Sequence, residues 1–140
     1  MIRTHHRADV TRTRGQRIGD AAESLVAARL AAQGWTILGR QVRVGRAEID
    51  LLALDPGPPV RLVAVEVRWR SSRSWGLPEE TVDRRKIIRI RDALSTLIVR
   101  GVLGGGVALP RATPAVDLVA LEPGRGEDGG PGWRHHHDIA

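Results

Sequence analysis

The chain of 140 residues contains no cysteine, no tyrosine and no phenylalanine, and only one methionine. Without cysteine there is no disulfide framework, no thiolate metal site and no thiol nucleophile, a composition compatible with a reducing cytoplasm. No stretch lacking Asp, Glu, Lys and Arg exceeds ten residues, which excludes a membrane-spanning helix. Residues 1–15 lack the apolar core of a signal peptide. A soluble cytoplasmic protein is therefore expected. The length fits one domain with a modest core and leaves no room for two.

Charge is plentiful but uneven. Lys and Arg total 22 against 16 Asp and Glu, for a net +6. Residues 1–46 carry nine Arg and three acids, and residues 61–100 carry ten basic and five acidic residues. Residues 47–60 and 101–140 are net acidic. Lys86 is the one lysine beside 21 arginines. Arg offers a rigid fork for phosphate oxygens, although a GC-rich genome writes the same bias without selection. The uneven placement is the stronger pointer to a polyanionic partner.

Residues 1–14 show no apolar periodicity and are expected to form a flexible basic arm, with a single domain over residues 15–140. Helical spacing begins at Gln16, with Ile18, Ala21, Ala22, Leu25, Ala28 and Ala32 near one stripe and Gly34 as the stop. Trp35 to Leu38 begins a strand and Ala47 to Leu54 forms a second, on which alternation places Ile49, Leu51 and Ala53 on one face. The run Asp55-Pro-Gly-Pro-Pro is a turn, so Val60 to Trp69 returns as the antiparallel partner. There Leu62, Ala64, Glu66 and Arg68 point one way and Val63, Val65, Val67 and Trp69 the other. A second helix is capped by Asp83, closed by Gly101 and striped by Ile87, Ile90, Leu94, Leu97 and Ile98. Strands follow at Ala115–Leu121 and, at an edge, within Trp133–Ile139. The order gives an α/β fold, a mixed sheet flanked by helices.

The informative feature is acid where acid is unexpected. Asp50 and Glu66 each interrupt an apolar strand, and a buried ionised carboxylate without a partner costs several kcal/mol. If the two strands pair through the 55–59 turn, the carboxylates stand side by side. A divalent ion such as Mg²⁺ resolves their repulsion with hard oxygen ligands, and Glu23 adds a third carboxylate if the first helix packs over this edge. Ion pairs with arginine, Glu66 with Arg68 or Arg46 for example, are the competing explanation.

The text Gly45-Arg46-Ala47-Glu48-Ile49-Asp50-Leu51-Leu52, followed by Val65-Glu66-Val67-Arg68, resembles the YraN family of small bacterial endonuclease-like proteins. Ala22-Glu23, the segment Gly76…Glu80-Thr81-Val82-Asp83…Lys86, and Asp117-Leu118-Val119-Ala120 match further family motifs in order. That family is similar to Holliday-junction resolvases of the PD-(D/E)xK nuclease superfamily. The resemblance implies a restriction-endonuclease-like core and Mg²⁺- or Mn²⁺-dependent hydrolysis of DNA phosphodiester bonds, with branched DNA a candidate substrate. By position Asp50 and Glu66 would be metal ligands, Glu23 a supporting acid, and Arg68 would stand where the superfamily usually has a catalytic lysine. Guanidinium cannot lose its proton in a protein, so Arg68 is restricted to orienting water or stabilising charge. Ala22 and Ala47 replace family glycines. Resolvase-like relatives often act as two-fold dimers, and the resemblance admits a homodimer.

Around these strands Arg43, Arg46, Arg70, Arg73, Trp75 and Lys86 are the candidate nucleic-acid contacts, with Trp75 offering a face for base stacking. Trp35 and Trp69 are expected in the core. In the run His135-His136-His137-Asp138 at most two histidines face one side of a strand, and a plain surface strand is the simpler reading. The Gly104–Gly106 run lacks the lysine of a P-loop and reads as a flexible connection. Three functions follow: a metal-dependent nuclease, a catalytically weak or inactive nucleic-acid-binding protein on a nuclease fold, and a protein adaptor whose basic faces are incidental.

Overall fold

The computed structural model describes residues 13–140. The expected basic arm lies outside them except for its last two positions, which belong to the first helix. Thr13 Oγ1 accepts the Gln16 N–H at 3.1 Å and Gln16 Oε1 accepts the Thr13 N–H at 2.8 Å. This reciprocal cap satisfies two otherwise unpaired donors and starts α1 (Arg14–Ala32) earlier than its apolar spacing suggests. The buried face of α1 is Ala22, Val26 and Leu30; of the expected stripe through Ile18, Ala21, Ala22, Leu25, Ala28 and Ala32, Ala22 alone lies on it. Alanine recurs on every side of this helix and does not mark a face. The i, i+4 pair Val26 and Leu30 does, and it seats the helix.

The remaining elements are β1 (Thr36–Val44), β2 (Ala47–Asp55), β3 (Arg61–Trp69), α2 (Arg84–Arg100), β4 (Thr113–Glu122) and β5 (Gly132–His136), with 3-10 turns at Pro78–Thr81 and Gly104–Gly106. The strands form one sheet in the order β1-β2-β3-β4-β5. All neighbours are antiparallel except β3 and β4. A parallel step requires a crossover, and α2 supplies it, capped by Asp83 and ended by Gly101 in the left-handed conformation at φ 72°. Val44 pairs with Ala47 across a two-residue loop, where Gly45 takes φ 59°. That conformation is cheap only for glycine.

Two helices cover opposite faces of the sheet. Ala22, Val26 and Leu30 of α1, with Trp35, pack against Leu51, Ala53, Val63, Val65 and Val119. Ile90, Ala93, Leu94 and Leu97 of α2 pack against Ile49, Leu52, Leu62, Ala64 and Val116. The expected alternation along β3 is therefore observed. Three expectations fail. Ile98 lies at the rim of α2 and is 41% exposed. Trp69 is 36% exposed, because β3 runs past the cover of α1 and its last residue lines a groove with Ile18, Leu25 and Leu121. Ile49 sits on the α2 face while Leu51 sits on the α1 face, so the pleat of β2 breaks between them, at Asp50.

Candidate functional site

The break has a local cause. In the β1–β2 register Arg40 pairs with Leu51 and Val42 with Ile49, leaving Gln41 opposite Asp50. Gln41 has φ 48°, a conformation rare outside glycine that concentrates at functional sites. The twist turns two consecutive side chains toward α1. Arg40 Nη2 donates to Ser24 Oγ at 2.9 Å, and Gln41 Nε2 donates to Asp20 Oδ1 at 2.9 Å. On the other side, backbone pairing of β2 with β3 ends at Leu51–Val65. Beyond it Asp50 Oδ2 accepts the Val67 N–H at 2.9 Å. A side-chain carboxylate thus takes a donor that a regular ladder would satisfy with a carbonyl.

That contact places the Asp50 carboxyl beside Glu66, as the spacing predicts. Burial first, then contact with Glu66, pushes the Asp50 carboxyl well above the ordinary carboxylate range, and the Val67 N–H only partly opposes this. Glu66 is fully buried on the α2 face. Arg68 Nη2 stands 2.6 Å and Lys86 Nζ 3.2 Å from Glu66 Oε2. Neither Glu66 oxygen nor Arg68 Nε has a hydrogen bond of good geometry among the described residues. The arginine pair expected as the competing explanation is thus present, with Arg68 and not Arg46, yet it leaves the carboxylate incompletely satisfied.

Glu23 projects from α1 toward this edge. Burial and the nearby Asp20 raise its pKa, and its charge is felt at Asp50. Glu23, Arg68 and Arg70 border one groove between α1 and the end of β3. Asp50, Glu66 and Glu23 do not converge as a tight trio. Among the described residues the one set of three His or acid donor atoms within 4.8 Å of one another is Asp117, His135 and His137.

The candidate nucleic-acid residues divide. Arg46 and Arg70 form no ion pair among the described residues, and Trp75 is 85% exposed. Arg43 pairs loosely with Glu48 at 3.5 Å. Arg73 is engaged by Glu122 through two hydrogen bonds of 2.8 and 2.9 Å, and Lys86 by Glu66. Arg134 bridges Glu122 and Glu79, at 2.8 and 2.6 Å. Sequence reasoning did not find this network, nor Arg61 between Asp55 and Asp117. Its signal was the one used for Asp50 and Glu66: Asp117 and Glu122 are acids on the apolar strand β4.

Two carboxyls on adjacent strands, one buried without full hydrogen bonding and one pushed above the ordinary range by burial and then by its neighbour, are a donor set that a divalent ion would suit. Asp50 and Glu66 would be its protein ligands, with remaining positions left to water and phosphate.

Residues 22–121 match the uncharacterised protein family UPF0102. A UPF0102 protein of Symbiobacterium thermophilum is 38% identical over 109 residues, covering 78% of this chain and 85% of that relative. One from Chlorobaculum parvum is 37% identical over 111 residues, 78% of each chain. The match to a UPF0102 protein of Sorangium cellulosum is 45% over 76 residues and spans about half of that relative. The motifs that resemble the YraN family lie within the matched region, and the chain belongs to that family, UPF0102.

Proposed function

We propose that the protein is a metal-dependent nuclease that hydrolyses phosphodiester bonds of DNA, with Mg²⁺ or Mn²⁺ held by Asp50 and Glu66. The supporting observation is the pair itself: two carboxyls meet where β2 and β3 part, and a strained Gln41 and a broken pleat place them there. When bound, the ion supplies Lewis acidity at a phosphoryl oxygen and charge neutralisation in the transition state. Arg68 shares the Glu66 face and holds a phosphate oxygen by charge, but accepts no proton. Lys86, from the first turn of α2, brings a second cation to the same carboxylate. Glu23 limits the positive charge at the groove. Arg70 and Trp75 extend the contact along the nucleic acid.

Arg68 also favours a second reading, a nucleic-acid binder on the nuclease fold, since a side chain that cannot deprotonate removes one route to activating water. Single-turnover cleavage of labelled four-way junction, flap and duplex DNA at low salt with Mn²⁺ separates the two. The nuclease reading expects cleavage by the parent, at least equal cleavage by Arg68→Lys, and none by Asp50→Asn. Failure of parent and Arg68→Lys on every substrate, with Asp50→Asn binding DNA as well as they do, leaves the binder.

A further inference from the structure

A second cluster of ligating atoms is built on Asp117, which pairs in register with Val65 beside Glu66 but by alternation faces the other side of the sheet from Glu66; the site does not rest on the nuclease reading. Asp117 is on β4, fully buried. His135 lies on β5, and His137 follows just beyond its end. Both face Asp117, while the intervening His136 turns to Glu79 at 3.0 Å. Two of the three histidines share a side, the most that strand alternation is expected to allow. We propose that Asp117, His135 and His137 form a binding site for a divalent transition-metal ion of the zinc class, with two imidazoles and one carboxylate as ligands.

The distances suit it. Asp117 Oδ2 is 2.8 Å from His135 Nε2 and 3.2 Å from His137 Nδ1. Donor atoms around a tetrahedral zinc ion stand about 3.3 Å apart, so these two pairs need little spreading, and all three donor atoms lie within 4.8 Å of one another. The chemistry is also specific: imidazole nitrogen with a single carboxylate selects zinc-like ions over Mg²⁺, which requires oxygen ligands. The imidazole rings stack at 3.9 Å, 22° from parallel, which holds both beside Asp117. Trp35 packs against His135 at 5.5 Å and dries the inner side, and half-exposed His137 leaves the outer side open to an entering ion.

The His137 ring nitrogen occupies a conflicted position. Its Nδ1 lies 3.2 Å from Arg61 Nη2, a donor only, and 3.2 Å from the Asp117 carboxylate, an acceptor only. A proton on Nδ1 suits Asp117 and opposes Arg61; a lone pair does the reverse. An ion between Nδ1 and Asp117 Oδ2 accepts the lone pair and takes the place of Arg61 Nη2 at Oδ2 (3.1 Å), while Oδ1 keeps its donors, Arg61 Nη1 and the Asp138 N–H. Arg61 need not be stranded by this, since Asp55 Oδ2 accepts from its Nε and Nη2 at 3.0 and 2.8 Å. Counting Asp55, Asp117 and Arg61 with neutral imidazoles, the cluster carries one net negative charge, which a dication outweighs. The consequence is structural: the ion ties the short edge strand β5 to β4.

Calorimetric titration of the chelator-treated protein with ZnCl₂ tests this. The parent should bind one equivalent with a Kd of about 1 µM or tighter, and Co²⁺ should give the visible absorption of a four-coordinate site. His137→Ala, at an exposed position, and His135→Gln should each weaken Zn²⁺ binding by at least about tenfold. His136→Ala and Asp50→Asn should bind Zn²⁺ like the parent. Zn²⁺ binding by His137→Ala equal to the parent's overturns the proposal, as does a parent Kd weaker than about 100 µM. Loss of Zn²⁺ binding in Asp50→Asn places the ion at the other site and overturns it equally.

Discussion

Asp50→Asn should make the metal-free protein more stable while abolishing its response to Mn²⁺. Burial and the neighbouring Glu66 raise the Asp50 pKa in the folded state, so the folded chain holds a proton that the unfolded chain has released. Stability then falls as pH rises from the ordinary Asp range toward the raised value. At neutral pH the cost of keeping a proton on such a carboxyl has a ceiling of about 4 kcal/mol, set by its distance from the ordinary pKa. Arg68 and Lys86, 2.6 and 3.2 Å from Glu66, draw off part of the Glu66 field, and about 1–2 kcal/mol is the expected remainder. Asparagine keeps the shape, offers its carbonyl to the Val67 N–H and turns an amide N–H toward Glu66. For a chain of this size the gain corresponds to about 3–8 °C in Tm. Thermal unfolding in EDTA should show the largest advantage near pH 8 and almost none near pH 4, and added Mn²⁺ should raise the Tm of the parent alone. A variant less stable than the parent at pH 8, or one that responds equally to Mn²⁺, refutes the paired-carboxyl site.

Hydrogen bonds from Arg134 hold Glu79, and those from Arg73 and Arg134 hold Glu122, at a pKa of about 2 against an ordinary 4.5. Depressed values mean stability that is present above the ordinary Glu range and lost as pH falls toward 2, so Glu122→Gln should flatten the acid limb of Tm against pH and lower Tm at pH 7. Arg70→Ala should reduce the slope of log K against log salt for DNA binding by about 1 and leave Tm unchanged, whereas Arg73→Ala should lower Tm with little change in slope. Equal effects of the two variants on the slope would remove the distinction between paired and unpaired arginines.

Local signals carried most of the fold. The α2 boundaries follow from Asp83, a 3.6-residue apolar spacing and Gly101, all within one segment. The faces of β3 follow from strict alternation between Leu62 and Arg68. What failed was what depends on another element. The seat of α1 is decided by the sheet beneath it, and an alanine-rich helix gives no side a volume to favour. Trp69 is large and apolar, yet exposed, because burial at the end of β3 depends on how far α1 reaches. Ile49 follows the wrong face because a left-handed Gln41 on the adjacent strand breaks the pleat, and nothing in residues 47–54 records that. The same division holds at the site. Acid on an apolar strand is visible in a line of text, so Asp50 and Glu66 were legible. Lys86 as a partner of Glu66, and Asp117 as the partner of His135 and His137, join residues on different elements and become visible only when those elements meet.

Charge at the Asp50–Glu66 edge links the fold to the choice between nuclease and binder. Asp50, Glu66 and Glu23 face Arg68 and Lys86, three acids against two bases. With Asp50 protonated, as burial and Glu66 favour, the edge is neutral and offers a phosphate no net attraction. With Asp50 ionised on a divalent ion, it carries one net positive charge, opposite in sign to a single phosphodiester. On the proposed reading the basic surface of Arg46, Arg70 and Arg43 would attract a polyanion in either state, but only the metal-loaded edge would draw one phosphate toward the carboxylates. The same substitution therefore reads both functions. Asp50→Asn leaves the surface arginines untouched, so it should preserve salt-sensitive DNA binding and remove whatever Mn²⁺ adds to it. On the proposed reading the two carboxyls at the broken strand serve the ion, so a loss of DNA cleavage and of the Mn²⁺ response together in Asp50→Asn is the outcome that the nuclease requires and the binder does not.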